Sequence, residues 1–159
     1  MILPSLPLRM LLTTDGSVTA LLEASFRSPV AVETVTNAVD GVRPRSLRRT
    51  AVLRLAADGR PLLRARSVLA VDRLPEAART ALLDGDAPIG SVLRDARLET
   101  RRELAPYVED TATPEDAASL GVDAGSPVFE RTYRIMSFSR ELAVVTERVP
   151  ASLFDAVAA

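Results

Sequence analysis

The sequence predicts an α+β domain built on a single antiparallel β-sheet with its helices on one face. Residues 47–57 and 61–71 are rich in Val, Leu, Arg and Ala and flank Asp58-Gly59, a dipeptide typical of hairpin turns. Residues 127–138 alternate in the manner of a strand, and residues 142–149 return after a turn near 137–140. Segments with helix start signals lie between these two hairpins. Consecutive hairpins interrupted by helices are typical of antiparallel α+β domains.

The first part of the chain is predicted to contain one helix and one strand before the first hairpin. Residues 6–12 are apolar but too few to classify. Ser17 follows an Asp-Gly turn and is a candidate N-cap of a helix that continues towards Phe26. Residues 29–38 alternate, with Val30, Val32, Thr34 and Thr36 on one face, and are predicted to form a strand.

The middle of the chain is predicted to contain three helices and one strand. Pro75 begins a helix that ends at Gly85, and a second short helix begins at Pro88-Ile89-Gly90. Residues 97–108 are predicted to form a strand. A further helix begins at Thr113, where Pro114 occupies the first helical position, and ends at Gly121.

The bulk composition indicates one domain that binds neither nucleic acid nor membrane. A chain of 159 residues with 47% hydrophobic content is near the usual single-domain size, so residues 1–159 are expected to form one domain. The formal charge of −1 and the 4% aromatic content argue against a nucleic-acid surface. No stretch approaches the roughly 18 uninterrupted apolar residues of a membrane span, and the first dozen residues lack a signal-peptide pattern. We expect a cytoplasmic protein, as a monomer or a homodimer.

The absence of lysine, histidine and cysteine excludes most catalytic side-chain chemistry. A Schiff-base lysine, a cysteine or histidine nucleophile, a serine–histidine relay and a metal site built on His or Cys are all impossible. The remaining cation is arginine, whose planar fork of donors matches a carboxylate. The composition therefore favours a protein that binds a carboxylated small molecule, with a Glu or Asp assisting any reaction.

Several segments, taken in order, resemble chorismate pyruvate-lyases, especially their short and divergent bacterial branch. They are LRRTAVLRLAADGRPLLRARSVLAVDRLP at residues 47–75, PIGSVL at 88–93 and FERTYRIMSFSRELAVVTERVPASLF at 129–154. Residues 11–26, LLTTDGSVTALLEASF, fit the entry helices of that family. The stretch ASLGVDAGSPVFERTYRI at 118–135 also resembles the effector-binding domains of GntR-type repressors, which share the fold and sense ligands without transforming them.

The resemblance implies a fold and a reaction. The fold is a six-stranded antiparallel sheet with helices on one face, and a small enclosed site lies between the sheet and helical flaps. The reaction converts chorismate to 4-hydroxybenzoate and pyruvate without a metal or an organic cofactor.

The resemblance also implies roles for particular residues. The arginine that binds a substrate carboxylate falls at Arg49, and the acidic residue that holds the ring hydroxyl or assists proton transfer falls at Glu147. Two main-chain contacts to the substrate fall at Val18 and at Ile89, with Gly90 beside it. A second arginine of the family falls at Arg66.

Each of these residues also has a structural interpretation. Arg49 can pair with a surface carboxylate, and Glu147 can face Arg131 or Arg148 across the second hairpin. Residues 89–90 can be an ordinary helix start. Arg66 can equally contact a bound anion or pair with an acidic side chain that points outward. Tyr133, which shares a sheet face with Arg131, is predicted to pack in the core.

Two other functions remain open at this stage. One is a non-catalytic small-molecule-sensing domain of the repressor-associated type. The other is a relative with the same fold that acts on a different carboxylated or polyketide-like substrate in specialised metabolism. A retained arginine–glutamate pair favours chorismate, whereas a larger apolar cavity favours the second alternative.

Overall fold

A computed structural model describes residues 1–42 and 44–155, and these residues form one seven-stranded antiparallel sheet with five helices. The strands are β1 (Val30–Asp40), β2 (Ser46–Leu55), β3 (Pro61–Ala70), β4 (Arg101–Leu104), β5 (Val108–Thr111), β6 (Pro127–Ser137) and β7 (Arg140–Pro150). The helices are α1 (Leu6–Thr13), α2 (Val18–Phe26), α3 (Glu76–Asp84), α4 (Ile89–Asp95) and α5 (Pro114–Leu120), with a 3₁₀ turn at Val71–Arg73. The strand order is β1-β2-β3-β7-β6-β4, and β5 also pairs with β6. The predicted α+β class is confirmed.

Both predicted hairpins are present. β2 and β3 pair so that Leu53 faces Leu63 across the Asp58-Gly59 turn. Gly59 has a φ of 73° there, a conformation that glycine adopts without steric cost. β6 and β7 pair from Val128↔Pro150 to Ser137↔Arg140, around a tight turn after Ser137.

Two segments differ from the sequence-based prediction. Residues 6–12, which were too few to classify, lie in helix α1, which buries Leu8, Leu11 and Leu12. Residues 97–108 do not form one strand: β4 begins at Arg101, and residues 105–107 separate β4 from β5. Pro106 has no N–H to donate to the ladder, so a break at this point is expected. The two short strands lie along the same edge of β6, so seven strands occupy the six positions that the family resemblance implies.

Helices α1 to α4 cover one face of the sheet, and α5 lies on the other. Arg49, Ala65 and Glu147 belong to the covered face, because the registers pair Glu147 with Ala65 and the side chains alternate along each strand. Asp116 of α5 binds Arg64 and Arg148, the residues next to Ala65 and Glu147. The expectation that all helices share one face is therefore corrected for α5.

The covered face of the sheet carries two hydrophobic clusters. One lies under α1 and α2 and includes Leu11, Leu22 and Leu53. The other lies under α3 and α4 and includes Leu47 and Leu82. Along β2, Arg49 and Ala51 lie between Leu47 of one cluster and Leu53 of the other, so a polar strip crosses the sheet between the two clusters. No helix within residues 1–42 and 44–155 is long and apolar enough to cross a bilayer.

Candidate active site

A cleft of about 730 Å³ lies over the polar strip between the two helix pairs. Its floor comes from the sheet and includes Arg49, Ala51, Ser67, Tyr133 and Glu147. Its walls come from the start of α2, the start of α4 and the segment that leads into β4. The floor residues are buried, whereas Arg94, Arg97 and Glu99 on the rim are exposed. The site is therefore a cleft open along its rim, in contrast to the enclosed chamber that the family resemblance implied.

Arg49 is 3% exposed and is held by neutral groups only. Its Nη1 donates to the carbonyl of Ala87 over 2.8 Å, and its Nε and Nη2 donate to Thr34 Oγ1 over 3.3 and 3.0 Å. Burial lowers the pKa of the guanidinium, and the negative charge of Asp86 acts in the opposite direction. Arginine remains charged at neutral pH even so. Two of its five N–H groups stay free for a ligand.

The loop before α4 and the end of α3 are held next to β1 by hydrogen bonds. Asp86 accepts a hydrogen bond from the backbone N–H of Thr34 over 3.2 Å. Asn37 donates from Nδ2 to the carbonyls of Leu82 and Leu83 over 3.2 and 3.0 Å. These bonds hold the end of α3 and the start of α4 at the edge of the cleft.

Glu147 is 5% exposed and lies on the same floor as Arg49, two strands away on β7. Its Oε1 accepts a hydrogen bond from the hydroxyl of Tyr133 over 3.0 Å. Its Oε2 lies 3.1 Å from Nε of Arg131, but without hydrogen-bond geometry, so this oxygen has no hydrogen-bond partner among the described residues. Burial raises the pKa of Glu147, and this effect outweighs the opposing charge of Arg131. The predicted surface pairing across the hairpin is thus a buried contact with Arg131.

Tyr133 links Glu147 to two arginines. The guanidinium carbons of Arg131 and Arg102 lie 4.9 and 5.6 Å from the centre of its ring. Burial, together with the charge of Glu147, raises the pKa of the Tyr133 phenol, so its hydroxyl remains protonated and donates. Arg131 also donates from Nη1 to the carbonyl of Leu11 at the end of α1. The sequence correctly predicted that Tyr133 is buried, but it did not predict that Tyr133 also lines the cleft.

The predicted main-chain contacts lie at two helix starts that border the cleft. Val18 is the first residue of α2, whose N-cap Ser17 accepts a hydrogen bond from the N–H of Ala20 over 3.2 Å. Ile89 and Gly90 are the first residues of α4, after Pro88. The N–H groups of a first helical turn have no partner within the helix.

Arg66 lies outside the cleft. It follows Ala65 and precedes Ser67 on β3, and both of those residues line the cleft. Because side chains alternate along a strand, Arg66 points from the opposite face, where it is exposed. The predicted substrate contact at Arg66 is therefore corrected. The alternative interpretation, in which Arg66 points outward and can pair with an acidic residue, agrees with this position.

Among the polar residues of the cleft that were not predicted, Ser67 and Arg102 belong to the sheet. Ser67 is buried, and its Oγ lies 3.5 Å from the main-chain oxygen of Arg49. Arg102 of β4 lies in the wall beyond Tyr133. Within the part of the chain that the structure describes, no group of three or more acidic side chains is placed to hold a metal ion. The sheet thus presents two cations, Arg49 and Arg102, and one buried carboxyl group to an organic anion, and Arg94 and Arg97 add positive charge at the rim.

Comparisons with known proteins agree with this architecture. A family model described as "Chorismate pyruvate-lyase Rv2949c-like" matches residues 12–156. Protein MJ0807 of Methanocaldococcus jannaschii is 33% identical over 144 residues, covering 87% of this chain and 75% of that protein. The chorismate pyruvate-lyase of Mycobacterium tuberculosis H37Rv is 29% identical over 163 residues, covering 92% of this chain and 81% of the enzyme.

Similar solved structures come from transcriptional regulators. PhnF of Mycobacterium smegmatis superposes with a TM-score of 0.71 at 17% identity, covering 87% of this chain. The chain spans 65% of the length of PhnF. The separate effector domain of PhnF gives a TM-score of 0.70 at 19% identity, covering 85% of this chain and 88% of the domain. At these identities the likeness establishes the fold alone.

Proposed function

Because this chain belongs to the Rv2949c-like chorismate pyruvate-lyase family, we propose that it converts chorismate to 4-hydroxybenzoate and pyruvate. The observation that carries this proposal is the placement of Arg49 and Glu147 on the floor of one cleft. One is a buried cation with two free N–H groups, and the other is a buried carboxyl group with a free oxygen. Such a pair suits a ligand that has a carboxylate at one end and a hydroxyl at the other.

The reaction requires the protein to orient the substrate more than to activate it. The bond between ring carbon 3 and the ether oxygen breaks, and the proton on carbon 4, which bears the hydroxyl, is lost. The ring becomes aromatic, and the departing enolpyruvate takes up a proton to become pyruvate. Aromatisation supplies much of the driving force. A site that holds the substrate in one pose and stabilises the developing charge is therefore sufficient.

Arg49 is assigned the ring carboxylate. Its guanidinium is held in place by Thr34 and Ala87, so its two free N–H groups are oriented before the ligand arrives. A bidentate pair with a carboxylate supplies both charge and direction. The free N–H groups at residues 89–90 and at Val18 are assigned to further main-chain contacts with the substrate.

Glu147 is assigned the ring hydroxyl. Tyr133 occupies Oε1, and Oε2 is free to contact that hydroxyl. Because the pKa of Glu147 is raised by burial, the group can exchange a proton near neutral pH more readily than an exposed glutamate. Two versions are compatible with this geometry. In one, Glu147 takes part in proton transfer, and in the other the substrate transfers its own proton and Glu147 only positions it.

The test is to incubate the purified protein with chorismate and to follow 4-hydroxybenzoate by absorbance and pyruvate by a coupled assay. The proposal expects both products in equal amounts. No turnover, combined with tight binding of an unrelated ligand, would instead favour a sensing domain of the kind that the regulator structures contain. Turnover of a different carboxylated substrate would favour a role in specialised metabolism.

A further inference from the structure

A second arginine faces the cleft from the side opposite Arg49. Arg102 lies on β4 two residues before Leu104, which pairs with Tyr133 of β6. Arg102 therefore shares the sheet face of Tyr133 and Glu147, and it lines the same cleft. Strands β3, β7 and β6 separate β4 from β2. At a strand spacing of about 4.8 Å, the four steps from β2 to β4 span about 19 Å.

The guanidinium of Arg102 forms no ion pair with a carboxylate of the described residues, and the charge of Glu147 acts on it only at longer range. Its Nη1 donates to the carbonyl of Asp15 over 3.3 Å, and its Nε is buried without a hydrogen-bond partner. By contrast, the buried arginines Arg64 and Arg148 on the other face both bind Asp116. Burial of a cation that forms no ion pair costs free energy, and an anionic ligand in contact with Arg102 would offset that cost.

Gly90, at the start of α4, lies close to the guanidinium of Arg102. A Cβ atom built at Gly90 would lie 3.4 Å from Nη2 of Arg102, the nearest atom in its surroundings. The start of α4 therefore lies against Arg102 as well as over Arg49. The two arginines border one continuous space.

The order of polar groups along the floor matches the order of groups along chorismate. Across the sheet the order is Arg49 on β2, Glu147 on β7 and Arg102 on β4. Along chorismate the order is ring carboxylate, ring hydroxyl and, on the ether next to that hydroxyl, the enolpyruvyl carboxylate. We propose that Arg102 binds this second carboxylate, so that the cleft recognises a substrate with two anionic ends. This inference rests on the proposed function, because it takes chorismate as the ligand.

Two stable probes test the assignment without requiring turnover. The first, 3-(carboxymethoxy)-4-hydroxybenzoate, carries both carboxylates, and the second, 4-hydroxy-3-methoxybenzoate, lacks the carboxylate on the ether. Calorimetry should show that the wild-type protein binds the first probe roughly ten- to a hundredfold more tightly, since a charge-assisted hydrogen bond contributes about that factor. In Arg102→Met the ratio of the two affinities should fall to about one. Arg49→Met should instead weaken both probes.

Two further variants serve as controls. Arg101 precedes Arg102 on the same strand, points from the opposite face and binds Glu103, so Arg101→Met should leave the ratio unchanged. Arg102→Lys keeps the charge without the planar fork and should retain part of the preference. Thermal melting confirms that each variant is folded.

The outcomes separate this inference from the lyase proposal. An Arg102→Met protein with the wild-type ratio, or with equal losses for both probes, would overturn the assignment of Arg102 even if the wild type cleaves chorismate. A ratio that depends on Arg102 in a protein that does not cleave chorismate would refute the lyase proposal. The two-anion cleft would then remain.

Discussion

Replacement of Arg49 by alanine tests the placement of the site most directly. Three N–H groups of this side chain bind Thr34 and Ala87, which leaves two of the five for a substrate carboxylate. Each charge-assisted bond contributes about 1.5–3 kcal/mol, so the loss of both costs about 3–6 kcal/mol. Arg49→Ala should therefore lower kcat/KM for chorismate by roughly 10²- to 10⁴-fold. Steady-state assays of pyruvate release measure this change.

Arg49→Lys and Arg66→Ala complete this experiment. The lysine keeps the charge but not the fork, so its kcat/KM should fall between those of the wild type and Arg49→Ala. Arg66 is an exposed arginine on the neighbouring strand but on the other face, and its removal should leave kcat/KM within about twofold, as is usual for a solvated charge. A folded Arg49→Ala protein with kcat/KM near that of the wild type would refute the assignment, as would an Arg66→Ala protein with the larger loss.

Other predictions concern the acidic groups. Glu147→Gln should lower kcat by about 10²- to 10⁴-fold if the carboxyl takes part in proton transfer, and by less if it only positions the hydroxyl; kcat and KM measured separately distinguish these roles. Because burial raises the pKa of Glu147, the folded state favours the protonated carboxyl group. The free energy of unfolding of the wild type should therefore fall as the pH rises above the ordinary glutamate pKa of about 4.3 and through the pKa of the folded state. Urea titrations should show no such contribution in Glu147→Gln, and parallel profiles for the two proteins would contradict the raised pKa. Asp116→Ala leaves the buried Arg64 and Arg148 without their shared carboxylate and should lower the free energy of unfolding by about 3–5 kcal/mol. A loss below about 1 kcal/mol in chemical denaturation would mean that other acids replace Asp116.

The hairpins were predictable because their signals are local. A turn dipeptide between two strands rich in branched residues predicts the pairing, whereas an irregularity between Leu53 and Arg54 sets the register in which Leu53 faces Leu63. The break at residues 105–107 is less evident from the sequence. Alternation continues on both sides of Pro106, and only the loss of one N–H marks the interruption.

The site residues were predictable to different degrees. Arg49 and Glu147 were identified through family resemblance, since the residue pattern alone also allowed surface ion pairs. Arg66 could not be placed from the turn alone, because a two-residue turn at Asp58-Gly59 would put it on the face of Arg49. The irregularity between Leu53 and Arg54 shifts the register, so that Arg49 pairs with Ser67 and Arg66 lies on the other face. Arg102 could not have been identified, because its contact with the cleft depends on how β4 pairs with β6 across a gap of about thirty residues in the chain.

The division of the cleft between sheet and helices has a consequence for how ligand preference can change. The charged groups at the base of the cleft, Arg49, Arg102 and Glu147, are attached to hydrogen-bonded strands, whose geometry is fixed by the ladder. Most of the bordering side chains instead belong to short helices and a loop. Altering Val18, Ile89 or Leu98 would reshape the opening without moving the chemistry beneath it. In such a scaffold, the residues that bind the anion are separate from those that determine which anion fits. Directed evolution of the bordering residues should therefore change ligand selectivity while the anion-binding side chains of the sheet stay in place.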